Sequence, residues 1–152
     1  MSKVKKTKVL LPLSTKFNKE LLLKAFEILK GLRNPDLTAI HVLELPVTAS
    51  LDITQHEKKV QEIKNSLEPV VNWIREQSFN IDTKIVVARH ISEAIVEEAN
   101  SGDYDLIVLT KREPPKGLRR IFYKSHSDYV TGKVNCPALI LINKKYNSSR
   151  LG

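Results

Sequence analysis

Residues 104–110, YDLIVLT, are apolar at almost every position. A strand with one solvated face alternates apolar and polar side chains, so a run without alternation belongs to a strand covered on both faces. Such strands are typical of parallel sheets held between helices. Four other segments read as strands: TKVLLPL (7–13), DLTAIHVLEL (36–45), IDTKIVVA (81–88) and ALILIN (138–143). Asn34, Pro35 and Asp36 supply a turn signal ahead of the second.

Helical spacing fills the gaps between these strands. Leu22, Ala25, Phe26 and Leu29 lie on one helix face behind Asn18, a side chain suited to cap a helix start. Val60, Ile63, Leu67, Val70 and Ile74 mark a longer amphipathic helix. Pro69 falls inside that pattern without an amide hydrogen, which predicts a kink or break near residues 65–69. Ser92 is placed to cap a third helix, with Ile91 and Val96 spaced as a hydrophobic staple and Gly102 just past the end. Residues 126–135 read as a fourth. The expected architecture is therefore α/β, a five-stranded parallel sheet with helices on both faces, in a single domain over residues 1–152. A chain of 152 residues that is 41% hydrophobic has enough apolar material for one such core.

The same numbers exclude several classes. The longest apolar runs are about five residues, against the roughly 18 to 20 needed to cross a bilayer. The opening MSKVKKTKVLLPLS lacks the apolar segment and cleavage site of a secretory signal, so a cytosolic location is expected. One cysteine, Cys136, permits no disulfide framework within the chain and reads as a small buried side chain. His41, His56, His90 and His126 have no metal-ligand spacing, and His41 reads as packed within its strand. Glu97 and Glu98 read as solvated, and Trp73 and Phe79 as core. No nucleophile stands beside a base, so no enzyme is predicted.

Net charge is +8 and the densest cluster is Lys111, Arg112, Lys116, Arg119, Arg120 and Lys124, interrupted by Glu113. Ligands of open α/β sheets bind beyond the carboxyl ends of the strands, where the winding direction reverses. With five strands in a flavodoxin-like or related order, the first and fourth strands flank that point, and their exits read PLSTKF and LTKREPPKG. The basic cluster thus begins where a ligand is expected.

KVLLPLS, LTAIHVLEL, DYDLIVLTKREPPKGLRRIFYKSHSDYV and CPALILI together resemble the universal stress protein family over residues 7–143. The resemblance implies a universal-stress-protein or adenine-nucleotide alpha-hydrolase-like fold, commonly dimeric near the last strand, with one branch binding ATP or AMP. That branch carries Gly, two residues, Gly, nine residues, Gly, then Ser or Thr. Here the first glycine falls on Thr110 or Lys111, the second on Glu113 or Pro114 and the third on Lys124, while Ser125 keeps its type and Gly117 matches a small residue of the loop. Ser14 stands where the nucleotide binders have an acid. Carried onto this chain, the nucleotide-binding positions are Pro12, Leu13, Ser14, Val42, Thr110, Lys111, Gly117, Lys124, Ser125 and His126.

Every motif glycine is replaced. Glycine lets backbone amides approach phosphate closely, and side chains there take up that room. Lys116, Arg119, Arg120 and Lys124 offer cations instead, or form a solvated basic loop. Ser125 with Asp128 fits a capping box, and it also fits a helix start facing phosphate. Three functions follow. The first is a regulatory or stress-response protein binding a nucleotide or small anion, and the second an interaction domain without ATP, such as the cytoplasmic part of a membrane transporter. The third and weakest is nucleic-acid binding, for which only Phe122 and Tyr123 interleave with the cations. The apolar edge CPALILIN predicts a homodimer.

Overall fold

The computed structural model describes residues 5–14, 17–112 and 126–143, with Arg112 described as backbone. The elements follow in the order β1 (Thr7–Pro12), α1 (Lys19–Leu29), β2 (Pro35–Glu44), a short 3-10 turn (Ile53–His56), α2 (Glu57–Glu76) and β3 (Asn80–Ala88). Then come α3 (Ile91–Ser101), β4 (Leu106–Arg112), α4 (His126–Thr131) and β5 (Ala138–Asn143). The five strands form one sheet in the order β3-β2-β1-β4-β5, every neighbouring pair parallel. Sequence order therefore runs outward in both directions from β1 and β4, and the winding reverses between them.

The helices divide between the two faces as the patterning requires. Val9, Leu11, Leu37, Ala39, Ile81 and Val108 project to one side and meet Leu22, Phe26 and Leu29 of α1 and Leu67, Val70 and Ile74 of α2. Leu10, Ile40, Val42, Ile107 and Leu109 project to the other and meet Ile95 and Ala99 of α3 and Val130 of α4. Adjacent residues of β1 and β4 thus serve opposite cores, which is why those strands are apolar at successive positions. Phe26 anchors the first core, its ring centroid 5.6 Å from that of Trp73 and 5.1 Å from that of Phe79. Asn18 caps α1, its side chain accepting from the Leu21 amide at 3.1 Å.

Four expectations are corrected. Helix α2 runs unbroken through Pro69. The amide that proline lacks would have met the carbonyl of Asn65, and Asn65 is exposed, so water can serve that carbonyl while the buried face holds the helix together. Ser92 does not cap α3. The cap position is His90, without a side-chain hydrogen bond, and the Ile91 amide donates to the Glu44 carboxylate at 3.2 Å. The last helix stops at Thr131 rather than 135, because Gly132 and Lys133 turn the chain toward β5. Cys136 is half-buried at the rim of the second core. Burial pushes its thiol up from the usual range, which favours the protonated form over the thiolate.

Candidate functional site

The exits of β1 and β4 diverge at the reversal point and leave a cavity of about 190 Å³. Pro12, Leu13 and Ser14 form its wall on the β1 side, and Thr110 and Lys111 its wall on the β4 side. Five of the ten positions named from the sequence therefore come together. Val42 is buried in β2 within the α3/α4 core and does not line this cavity. His126 opens α4, where its Nδ1 lies at hydrogen-bond distance from Ser92 Oγ. Gly117, Lys124 and Ser125 lie outside the described residues, as do Glu113 and Pro114 and, of the basic cluster, Lys116, Arg119 and Arg120.

The β1 wall is held by backbone bonds to β2. The Leu13 amide donates to the Ile40 carbonyl at 2.8 Å. The Leu13 carbonyl lies 2.8 Å from His41 Nδ1. A carbonyl only accepts, so that ring nitrogen carries the proton and the imidazole is a donor here. His41 was read from the sequence as packed, and it is half-buried, but its nitrogen also fixes one wall of the crevice.

Lys111 shares the face of Leu109 on β4, the face covered by α3 and α4. Lys111 Nζ reaches Asp128 in the first turn of α4, 2.9 Å from Oδ1 and 3.1 Å from Oδ2. Among the described residues that line the cavity Lys111 is the one charged residue, and its ammonium is engaged by α4. The other described lining residues are Phe17, Asn18, Leu21 and Leu22 at the start of α1 and Asn143 at the end of β5. Sequence reasoning did not place these in the site. Asn18 was recognised only as a cap, and Asn143 could have been found from strand order, since β5 pairs with β4 and sets Asn143 opposite Arg112.

A larger cleft of about 510 Å³ lies between β3 and α3, lined by Lys84, Arg89, Glu93, Glu97 and Glu98 among others. It sits at the sheet edge, away from the reversal point, and its central charges already satisfy one another. Lys84 Nζ donates to Glu98 at 2.6 Å and Tyr104 Oη donates to the same carboxylate at 2.7 Å. Burial pushes the Glu98 carboxyl up, but the hydrogen bonds from Lys84 and Tyr104 and the charges of Lys84 and Lys8 outweigh it, so its net shift is downward. Burial and the adjacent Glu98 push the Tyr104 hydroxyl up to about 12. Glu98 is therefore a structural anchor rather than the solvated residue the sequence suggested. Among the described residues no three His, Cys, Asp or Glu side chains converge to hold a metal, and no helix is long and apolar enough to cross a membrane.

Comparison with known proteins agrees with this fold. The hypothetical protein MJ0577, whose biochemical function was assigned from its structure, is 25% identical with a TM-score of 0.71, covering 92% of this chain and 98% of that one. The universal stress protein from Archaeoglobus fulgidus in complex with dAMP is 20% identical with a TM-score of 0.63, over 91% of this chain and 98% of that one. A universal stress protein family protein from Arabidopsis thaliana with AMP bound is 18% identical with a TM-score of 0.55, over 91% and 92% of the two chains. A search of the curated proteins finds no match. The model of the universal stress protein family matches residues 6–141, which is nearly the whole of the strand and helix pattern described above. This chain belongs to the universal stress protein family.

Proposed function

We propose that the chain is a non-enzymatic regulatory or stress-response protein, cytoplasmic and homodimeric, whose crevice at the β1 and β4 exits takes a small anion or an adenine nucleotide. The observation that carries this reading is the convergence of Pro12, Leu13, Ser14, Thr110 and Lys111 on one cavity at the reversal point. Solved relatives of the same fold carry dAMP and AMP. Affinity is expected to be modest, because Thr110 or Lys111, Glu113 or Pro114, and Lys124 stand where glycines would expose backbone amides to phosphate.

A second reading is an interaction domain that holds no nucleotide, including one that serves a membrane transporter. The pairing of Lys111 with Asp128 favours it, since the one charged residue among the described lining already has a counter-ion. The two readings separate in a single series. The purified protein is denatured and the released small molecules are weighed by mass spectrometry, and the melting temperature is followed with AMP, ATP, phosphate and chloride at equal ionic strength. The first reading expects a released nucleotide, or a rise in melting temperature with AMP, ATP or phosphate that exceeds chloride. Equal responses to all four and no released nucleotide would support the second.

A further inference from the structure

We propose that the edge of β3 docks an extended segment of another protein as an added strand, and that this segment alternates basic and apolar side chains. The inference goes beyond the crevice and holds whether or not the crevice takes a ligand.

β3 ends the sheet, with β2 on one side and no strand on the other among the described residues. The Ala88 carbonyl accepts from the Leu45 amide at 2.8 Å, so Ala88 turns its backbone groups toward β2. Backbone groups alternate in direction along a strand, and Ile81, Thr83, Ile85 and Val87 therefore turn theirs outward. The Ile81 carbonyl is taken by Arg75 Nη2 at 3.3 Å. Thr83, Ile85 and Val87 have no backbone partner on that side among the described residues, and they span about 13 Å of strand. An unpaired row of this kind is a template for strand addition. Lysine on an edge strand usually guards against such pairing, but the Lys84 ammonium is drawn onto Glu98 at 2.6 Å.

A slot flanks the edge on each face. Lys84, Val86 and Ala88 line the cleft of about 510 Å³ with α3, while Thr83 and Ile85 line a groove of about 240 Å³ with α2. An added strand sends successive side chains into the two slots in turn. The α3 slot is acidic, because Lys84 and Glu98 satisfy each other and Arg89 donates to the Pro46 carbonyl. Glu93 and Glu97 are exposed and have no counter-ion among the described residues. The α2 slot has an apolar floor of Leu67, Val71 and Ile85. Basic side chains complement the first slot and apolar ones the second. A second copy fits worse, since antiparallel pairing of two β3 edges sets the acids of both α3 helices on one face.

The probe is the acetylated and amidated peptide Lys-Val-Lys-Val-Lys-Val-Lys, titrated into the intact chain with amide hydrogen exchange followed by NMR. Protection is expected to rise at Thr83, Ile85 and Val87 but not at Lys84 and Val86, whose amides already serve β2. The same peptide with glutamate in place of lysine should bind about threefold more weakly, although the net charge of +8 attracts it to the chain as a whole. Thr83→Pro removes one outward amide and leaves the bonds to β2, so it should weaken the lysine peptide about threefold to tenfold relative to Thr83→Val. Glu93→Gln combined with Glu97→Gln should erase the preference for lysine, and this test stands if Thr83→Pro does not fold. Even protection along β3, equal binding of the two peptides, equal affinities of Thr83→Pro and Thr83→Val, or no saturable binding would each overturn the proposal. Alternating protection that grows with protein concentration in the absence of peptide would assign the edge to a second copy and overturn it too.

Discussion

At the scale of single residues, partners distant in sequence decide each role. Glu98 follows another glutamate on a helix, and nothing local distinguishes the two. Only β3, which brings Lys84, and the chain after α3, which brings Tyr104, turn Glu98 into an anchor. The same holds for Lys111 and Asp128, 17 positions apart. Side-chain pairing across elements leaves no periodic signal, whereas Asn18 was legible because a cap acts on amides two or three residues away. The Glu98 anchor has a pH signature. Its carboxyl is lower in the folded chain, so its contribution is present above its ordinary value of 4.5 and is lost as pH falls through the folded value. Glu98→Gln should lower stability by about 1–2 kcal/mol near neutral pH, and the gap from wild type should narrow in acid, as read by urea unfolding. A gap independent of pH would show that charge plays no part. Tyr104 is raised, so the opposite sign holds: its contribution is complete below its ordinary value of 10.0 and is lost as pH climbs through about 12. Comparison of wild type with Tyr104→Phe in an alkaline titration of tyrosinate absorbance should show one late-titrating group missing from the variant. At the crevice wall, His41→Asn retains a donor near the Nδ1 position and should keep the binding affinity for AMP, while His41→Leu should weaken it several-fold; equal affinities would remove His41 from the site.

At the scale of elements, the apolar runs and helical spacings located the five strands and four helices of the described residues to within a few positions, because burial on one or two faces is a repeated signal. The exceptions have local causes. Pro69 was expected to kink or break α2; the helix does not break, and Val60, Leu67, Val70, Val71 and Ile74 are buried on one side of it. Their combined burial exceeds the loss of one hydrogen bond on the solvated side. Pro69→Ala should restore the amide that meets Asn65, and the gain, offset in part by the freer unfolded chain, is expected at about 1–2 kcal/mol by urea unfolding. A stability equal to or below that of wild type would mean the helix is shaped to the proline. Ser92 was misread for a different reason. A serine one residue inside a helix start looks like a cap in sequence, but Glu44 from the end of β2 supplies the acceptor instead.

At the scale of the whole molecule, strand order turns this sequence into a candidate binding protein. With β1 and β4 adjacent at the centre and β3 and β5 at the edges, the two strand exits that matter open side by side. The same order leaves β5 at an edge, where Ile140 and Ile142 remain 39% and 43% exposed. Exposed apolar edge strands are usually covered, and a second copy is the cover we propose. Ile142→Lys should convert the dimer to monomer in light scattering, and a wild-type protein that is monomeric at every concentration would contradict the dimer. The central claim, that the ligand site is the small crevice between β1 and β4, is tested most directly by backbone amide NMR during titration with AMP. The account predicts that the largest shifts fall on Leu13, Ser14, Thr110 and Lys111, with smaller ones at Asp128, while the amides of Lys84 to Glu98 around the larger cleft stay in place. Saturable shifts centred on β3 and α3, with the β1 and β4 exits unmoved, would contradict it.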